Sequence, residues 1–130
     1  MASAFAGNYE HEKDENMEQY YKALGLPDAE VEKYKKPWRT NVIEVNGDDV
    51  HVTTNAKISY KLGHDVDEIL ANGHKVKSHA SLEGPKLVVR STSPDGRKGT
   101  RTYELYDQGV LISLELEGSP VVGKIYYKRK

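Results

Sequence analysis

The segment from Asn16 to Pro37, NMEQYYKALGLPDAEVEKYKKP, decides how the rest of the chain is read. Met17, Tyr20, Tyr21 and Leu24 recur at helical spacing, and Gly25 ends the helix they define. Asp28 caps a second helix that carries Val31 and Tyr34 inward; Lys33, Lys35 and Lys36 lie at its negative end and Pro37 closes it. Two helices this short cannot form a core of their own. They must lie on something, and nearly everything after them reads as strand. The expected arrangement is a helical lid, about residues 16–37, over the open end of a barrel.

Working outward, Phe5 to Lys13 forms a first strand anchored by Tyr9. Beyond the lid, Thr40 to Val45 alternates into the hairpin signal Asn46-Gly47, and Val50, Val52 and Thr54 return. Ile58, Tyr60 and Leu62 follow a tight turn at Asn55-Ala56, and Val66 to Leu70 forms a short acidic strand. Val76, Ser78, Ala80 and Leu82 share a face. Leu87 to Ser91, Arg97 to Leu105, Val110 to Leu116 and Val121 to Lys128 complete the series. These are about ten strands, with turn signals roughly every 8–12 residues. Connections this short pair neighbours antiparallel, and closure removes the edges. The fold class is therefore all-β: a ten-stranded antiparallel up-and-down β-barrel with a helix-turn-helix lid, one domain over 1–130.

Composition narrows the function. The net charge of −1 gives no electrostatic case for nucleic acid. There is no cysteine, hence no disulfide framework and no thiol chemistry. Met1 to Gly7 lacks a basic start and an apolar run, so no secretory signal is expected there; no stretch approaches a membrane span, and the expected setting is the cytoplasm. Hydrophobic residues make up 37% of the chain, and nine Tyr stand against one Phe, which points to a partly polar interior. The five histidines show no metal spacing, and there is no G-x-S-x-G, P-loop or dinucleotide motif. Asp67 and Glu68 are neighbours on a strand and face opposite ways, so they make no catalytic dyad. No enzyme activity, cofactor or metal is expected.

The pieces, taken in order, resemble the intracellular lipid-binding proteins, the family of fatty-acid-binding and cellular retinoid-binding proteins. They are Gly7-Asn8-Tyr9, Asn16-Met17-Glu18, Tyr20-Tyr21, Leu24-Gly25, Lys36-Pro37, Asn46-Gly47-Asp48, Tyr60-Lys61-Leu62-Gly63, Val66-Asp67-Glu68, Lys75-Val76-Lys77-Ser78, Leu82-Glu83-Gly84 and Tyr126-Tyr127-Lys128. The likeness runs end to end and implies the same barrel and lid, with a hydrophobic ligand inside. It implies a monomeric carrier of a long-chain fatty acid that touches anionic membranes transiently through a basic lid (Lys22, Lys33, Lys35, Lys36). A retinoid or other bulky hydrophobe is the alternative cargo. An isomerase-type barrel enzyme and an extracellular lipocalin are the other classes weighed.

The chain departs from the family pattern in several places. Met17 stands where Phe is usual and His11 where an aliphatic residue is usual, and the turn at Asn55 is short. Tyr103 occupies the place of the deeper Arg, and Lys124-Ile125-Tyr126 replaces Arg-x-Tyr. The family register turns two pairs inward, Lys124 with Tyr126 and Arg101 with Tyr103. They would hold a ligand carboxylate, or else be polar groups satisfied by water. Strand alternation puts Ile112 and Leu114 on the cavity wall, and Met17 and Tyr21 complete the ligand-contacting set from the lid.

Overall fold

Each alternating stretch of sequence becomes a strand, and short turns lay the strands side by side in chain order. The computed structural model describes residues 2–23, 25, 27–29, 40–53, 57–69, 75–94, 96–107 and 109–130. Strand β1 (Gly7–Glu15) leads to helix α1 (Met17–Ala23), followed by β2 (Thr40–Asn46), β3 (Asp49–Thr53), β4 (Lys57–Lys61) and β5 (Asp65–Ile69). Strands β6 (Lys75–Glu83), β7 (Lys86–Thr92), β8 (Lys98–Tyr106), β9 (Gly109–Leu116) and β10 (Val122–Arg129) complete the chain. All ten lie in one sheet, in the order β4-β3-β2-β1-β10-β9-β8-β7-β6-β5. The first and last strands pair antiparallel, Tyr9 opposite Arg129 and Glu15 opposite Lys124, which curls the sheet into a nearly closed barrel. A seam remains between β4 and β5, which touch without joining the hydrogen-bonded ladder.

The hairpin expected at Asn46-Gly47 joins β2 to β3, with Gly47 at φ 62° as the primed turn requires. The lid's first helix also forms where its spacing predicts. Asn16, at φ 56°, leads in, its carbonyl accepting from Tyr20 N at 3.0 Å; Gly25, at φ 87°, follows the end of α1. The rest of the expected lid and the turn at Asn55-Ala56 lie largely or wholly outside the described residues.

The N-terminus differs from expectation. Residues Ala2–Phe5 form a 3-10 turn, and β1 begins only at Gly7. The cause is local. Phe5 is buried, the Tyr9 hydroxyl donates to Phe5 O at 2.6 Å, and Arg129 donates to Ala6 O at 3.1 Å, folding this end back onto the barrel. A register shift between His11 and Lys13 then changes which β1 residues face inward: Tyr9 and His11 before it, Asp14 after it, opposite Ile125.

Candidate functional site

The inner wall follows from strand alternation. Ile43, Val50, Val52, Ala80, Leu87, Val89, Tyr103, Val110, Ile112, Ile125 and Tyr127 belong to one buried cluster, with Leu114 and Leu116 packed against it. Ile112 and Leu114 therefore stand on the face their spacing predicts. So do Arg101 and Tyr103, two apart on β8 and opposite Leu114 and Ile112 on β9.

A polar cluster interrupts this wall. Glu68, only 4% exposed, projects from β5. Its Oε1 accepts from Tyr60 Oη on β4 at 3.0 Å, Ser78 Oγ on β6 at 2.8 Å and Arg101 Nη2 on β8 at 2.5 Å. Ser91 on β7 extends the network to Ser78 at 2.7 Å. The Tyr60–Glu68 bond crosses the seam where backbone pairing is absent, so side chains tie the two edges together. Burial opposes the Arg101 charge, but the Glu68 carboxylate, through its charge and its hydrogen bond, favours it, and the guanidinium pKa is raised. Burial raises the hydroxyl pKa of Tyr60, Tyr103 and Tyr20, so all three are neutral at physiological pH. Sequence reasoning passed over Glu68 as half of an unlikely dyad. Its two-residue spacing from Val66 was the available signal that it faces inward.

Lys124 and Tyr126 require a correction. On β10 the buried residues are Gly123, Ile125 and Tyr127. The intervening Tyr126 lies on the outer face, where its ring meets Tyr106 edge-on at 6.0 Å and Lys13 Nζ lies 4.6 Å from its centroid. Tyr106 in turn donates to Glu12 at 2.8 Å, and Lys124 shares this outer side by alternation. The expected register was one residue off, and a one-residue slip exchanges the two faces of a strand. The inward pair is Ile125 and Tyr127, an apolar group and a phenol. Inside the barrel, Tyr127 meets His11 edge-on at 5.7 Å, and His11 hydrogen-bonds Asp14 at 2.7 Å.

Two further residues were missed. Asn41 is 1% exposed on the face it shares with Ile43, and its Oδ1 has no hydrogen-bond partner among the described residues. Nothing in its sequence context marks it. Gly123 is the second: a Cβ built there would lie 2.7 Å from Met17 Sδ and 3.0 Å from Tyr20 Cβ. Glycine thus lets α1 sit directly on β10, burying Met17 and Tyr20, while Tyr21 is half-buried with its ring edge-on to Tyr20 at 6.1 Å. Gly123→Val should lift the helix, because Met17 can swing aside but Tyr20 Cβ cannot. Overpacking of this kind costs about 1–3 kcal/mol, and about 1.4 kcal/mol lost from lid closure speeds release about tenfold. Stopped-flow dissociation of a fluorescent fatty acid measures this; an unchanged rate would show that α1 does not gate the interior.

A nearly closed antiparallel barrel with a helix over one end and a mixed apolar and hydrogen-bonding inner wall defines the ligand-enclosing class of intracellular lipid-binding proteins. Comparison with known proteins makes the assignment. No family model matches the chain. Fatty acid binding protein 1-B.1 of Danio rerio is 33% identical over 131 residues, covering 97% of this chain and 94% of its own. Among solved structures, the REP1-NXSQ fatty acid transporter superimposes with a TM-score of 0.86 at 24% identity, covering 99% of this chain and 98% of its own. A fatty acid-binding protein from brain tissue of Drosophila melanogaster gives 0.80 at 28% identity, covering 95% and 98%. The chain belongs to the fatty acid-binding protein family.

Proposed function

We propose that this protein is a carrier that encloses one long acyl chain, a long-chain fatty acid or a similar single-chain lipid, and does no chemistry on it. The observation that supports this most strongly is the inner wall itself. Ile112, Leu114, Ile125, Val89 and Leu87 give an acyl chain apolar surface, and Glu68, Arg101, Tyr60 and Ser78 form a polar cluster beside it. Burying each methylene contributes about 0.8 kcal/mol, so a long chain supplies most of the affinity and the head group orients it. The names of the relatives point to fatty acids as the cargo class. Among the described residues, no group of three His, Asp or Glu could hold a metal, and no helix is long and apolar enough to cross a membrane.

We read the protein as monomeric and cytoplasmic, handing over cargo at anionic membranes through the lid lysines. Of these, Lys22 is exposed and pairs with Glu18 at 3.3 Å; Lys33, Lys35 and Lys36 lie outside the described residues. Native mass spectrometry of the protein from a eukaryotic host tests the carrier reading. A co-purifying single-chain lipid at one per protein is the expected result, and an apo mass that no lipid alters would contradict it.

The outer position of Lys124 makes a further prediction. Lys124→Ala should leave the affinity for a fatty acid and for its alcohol within about twofold of the parent, since surface charges this far from a ligand contribute little. Parallel titrations check it. A tenfold loss confined to the acid would place Lys124 at the head group.

A further inference from the structure

The outer face of the barrel carries a feature that the interior does not use. The register shift in β1 leaves Glu12 without a partner on β10, because His11 lies opposite Tyr127 and Lys13 opposite Tyr126. A bulge of this kind re-aims side chains, and here two consecutive ones both reach residues of the outer face. Glu12 accepts from the Tyr106 hydroxyl at 2.8 Å, and Lys13 Nζ lies 4.6 Å from the Tyr126 ring centroid. The two rings meet edge to face at 6.0 Å. Together with Asp107, which follows β8, these residues line an open cleft of about 270 Å³.

The chemistry of the cleft is that of a cation site. Burial, with the hydrogen bond and charge of Glu12, pushes the Tyr106 hydroxyl up to about 12. Burial and a hydrogen bond to Glu15 raise that of Tyr126. Both phenols are therefore neutral at physiological pH and donate to carboxylates, which leaves ring surface to the cleft. Aromatic faces attract cations, and Lys13 shows that the Tyr126 face is within reach of one. Around the cleft, Glu10 stands opposite Lys128 and Glu15 opposite Lys124, and Glu104 pairs with Lys86 at 3.7 Å. The lining residues themselves set two carboxylates, Glu12 and Asp107, against the one ammonium of Lys13. Lys13 is exposed, and an ammonium over one solvent-facing ring gains little, so it can yield to a cation that touches both rings. Because Glu12 and Glu15 already accept from the phenols, the cleft offers ring surface and negative field more than free acceptors. That suits a weakly hydrated cation with no N–H groups.

We propose that this outer cleft binds a quaternary ammonium group, the cation of choline and of choline-bearing lipids, with Lys13 as the tethered occupant that yields to it. The site is separate from the barrel interior and stands whether or not the interior carries an acyl chain.

The test is a nuclear magnetic resonance titration of the full chain carrying carbon-13-labelled tyrosine. Tetramethylammonium chloride is added to about 100 mM, with sodium chloride at matched ionic strength as the control, and the Tyr106 and Tyr126 ring signals should shift saturably with a Kd of roughly 10 mM. Tyr126→Leu should weaken binding about fivefold or more while leaving the affinity for a fluorescent fatty acid unchanged. Lys13→Gln removes the tethered competitor and should tighten binding about two- to fivefold. Choline chloride and phosphatidylcholine vesicles then separate the sources. Flotation with the vesicles that Tyr126→Leu abolishes assigns the site to a lipid head group; ring shifts with choline and no such flotation assign it to the free cation. Ring shifts no larger than those with sodium would overturn the proposal. So would a Kd that Lys13→Gln fails to lower, even if Tyr126→Leu folded poorly.

Discussion

Replacing Arg101 with leucine should destabilise the protein by about 3–5 kcal/mol at neutral pH, the loss expected when one partner of a buried ion pair is removed and the other charge is left behind. Arg101 holds Glu68 from across the barrel, and Glu68 is itself buried on β5. Without the guanidinium, Tyr60 and Ser78 still donate, but the carboxylate faces an apolar wall with no other ion-pair partner among the described residues. The double variant Arg101→Leu with Glu68→Gln should recover most of the stability, because a neutral amide can keep accepting from Tyr60 and Ser78. Urea unfolding of the parent and the two variants measures this, and a loss below about 1 kcal/mol for Arg101→Leu would mean that Glu68 is solvated.

The second large effect is expected at Gly109, where β9 begins opposite Lys128 on β10. A Cβ built on Gly109 would lie 2.0 Å from the Tyr127 carbonyl oxygen and 2.8 Å from Lys128 Cα. Both are backbone atoms in the ladder that joins the last strand to the sheet, and neither can rotate away. Gly109→Ala must push β9 and β10 apart, at a cost of about 3 kcal/mol, the upper range for overpacking. For a chain of this size that lowers the melting temperature by roughly 10 °C. Calorimetry of the variant tests it; an unchanged melting temperature would show that the two strands separate freely at this point.

The barrel was legible because its signal repeats. Period-two alternation and glycine-bearing turns recur along the chain, and each strand only has to pair with its neighbour. The short hairpin at Asn46-Gly47 even fixes its own register. The candidate site was less legible because it depends on absolute facing. Ile112 and Leu114 could be placed by alternation within their strand, whereas Arg101 with Tyr103 and Lys124 with Tyr126 were both turned inward by a borrowed register, which β8 follows and the last strand does not. In isolation Gly123-Lys124-Ile125-Tyr126-Tyr127 alternates plausibly either way, since tyrosine suits both faces. What decides is the helix on Gly123 and the outer pairing of Tyr126 with Lys13 and Tyr106. Glu68 and Asn41 were hidden for a different reason. A lone polar residue in an apolar strand shows its partners, or the lack of them, only when distant strands meet. Tyr60, Ser78 and Arg101 come together from β4, β6 and β8, which no local spacing encodes.

The central claim is that the acyl chain lies inside the barrel. Nuclear Overhauser contacts between the methylenes of bound, carbon-13-labelled palmitate and protein methyl groups test it most directly. Ile112 and Ile125 are buried in the inner cluster, while Leu111, between Val110 and Ile112, faces outward. The account predicts contacts from the acyl chain to the methyls of Ile112, Ile125 and Leu114 and none to Leu111. Saturable binding with contacts to Leu111 and none to the inner isoleucines would place the ligand on the outside and contradict the account.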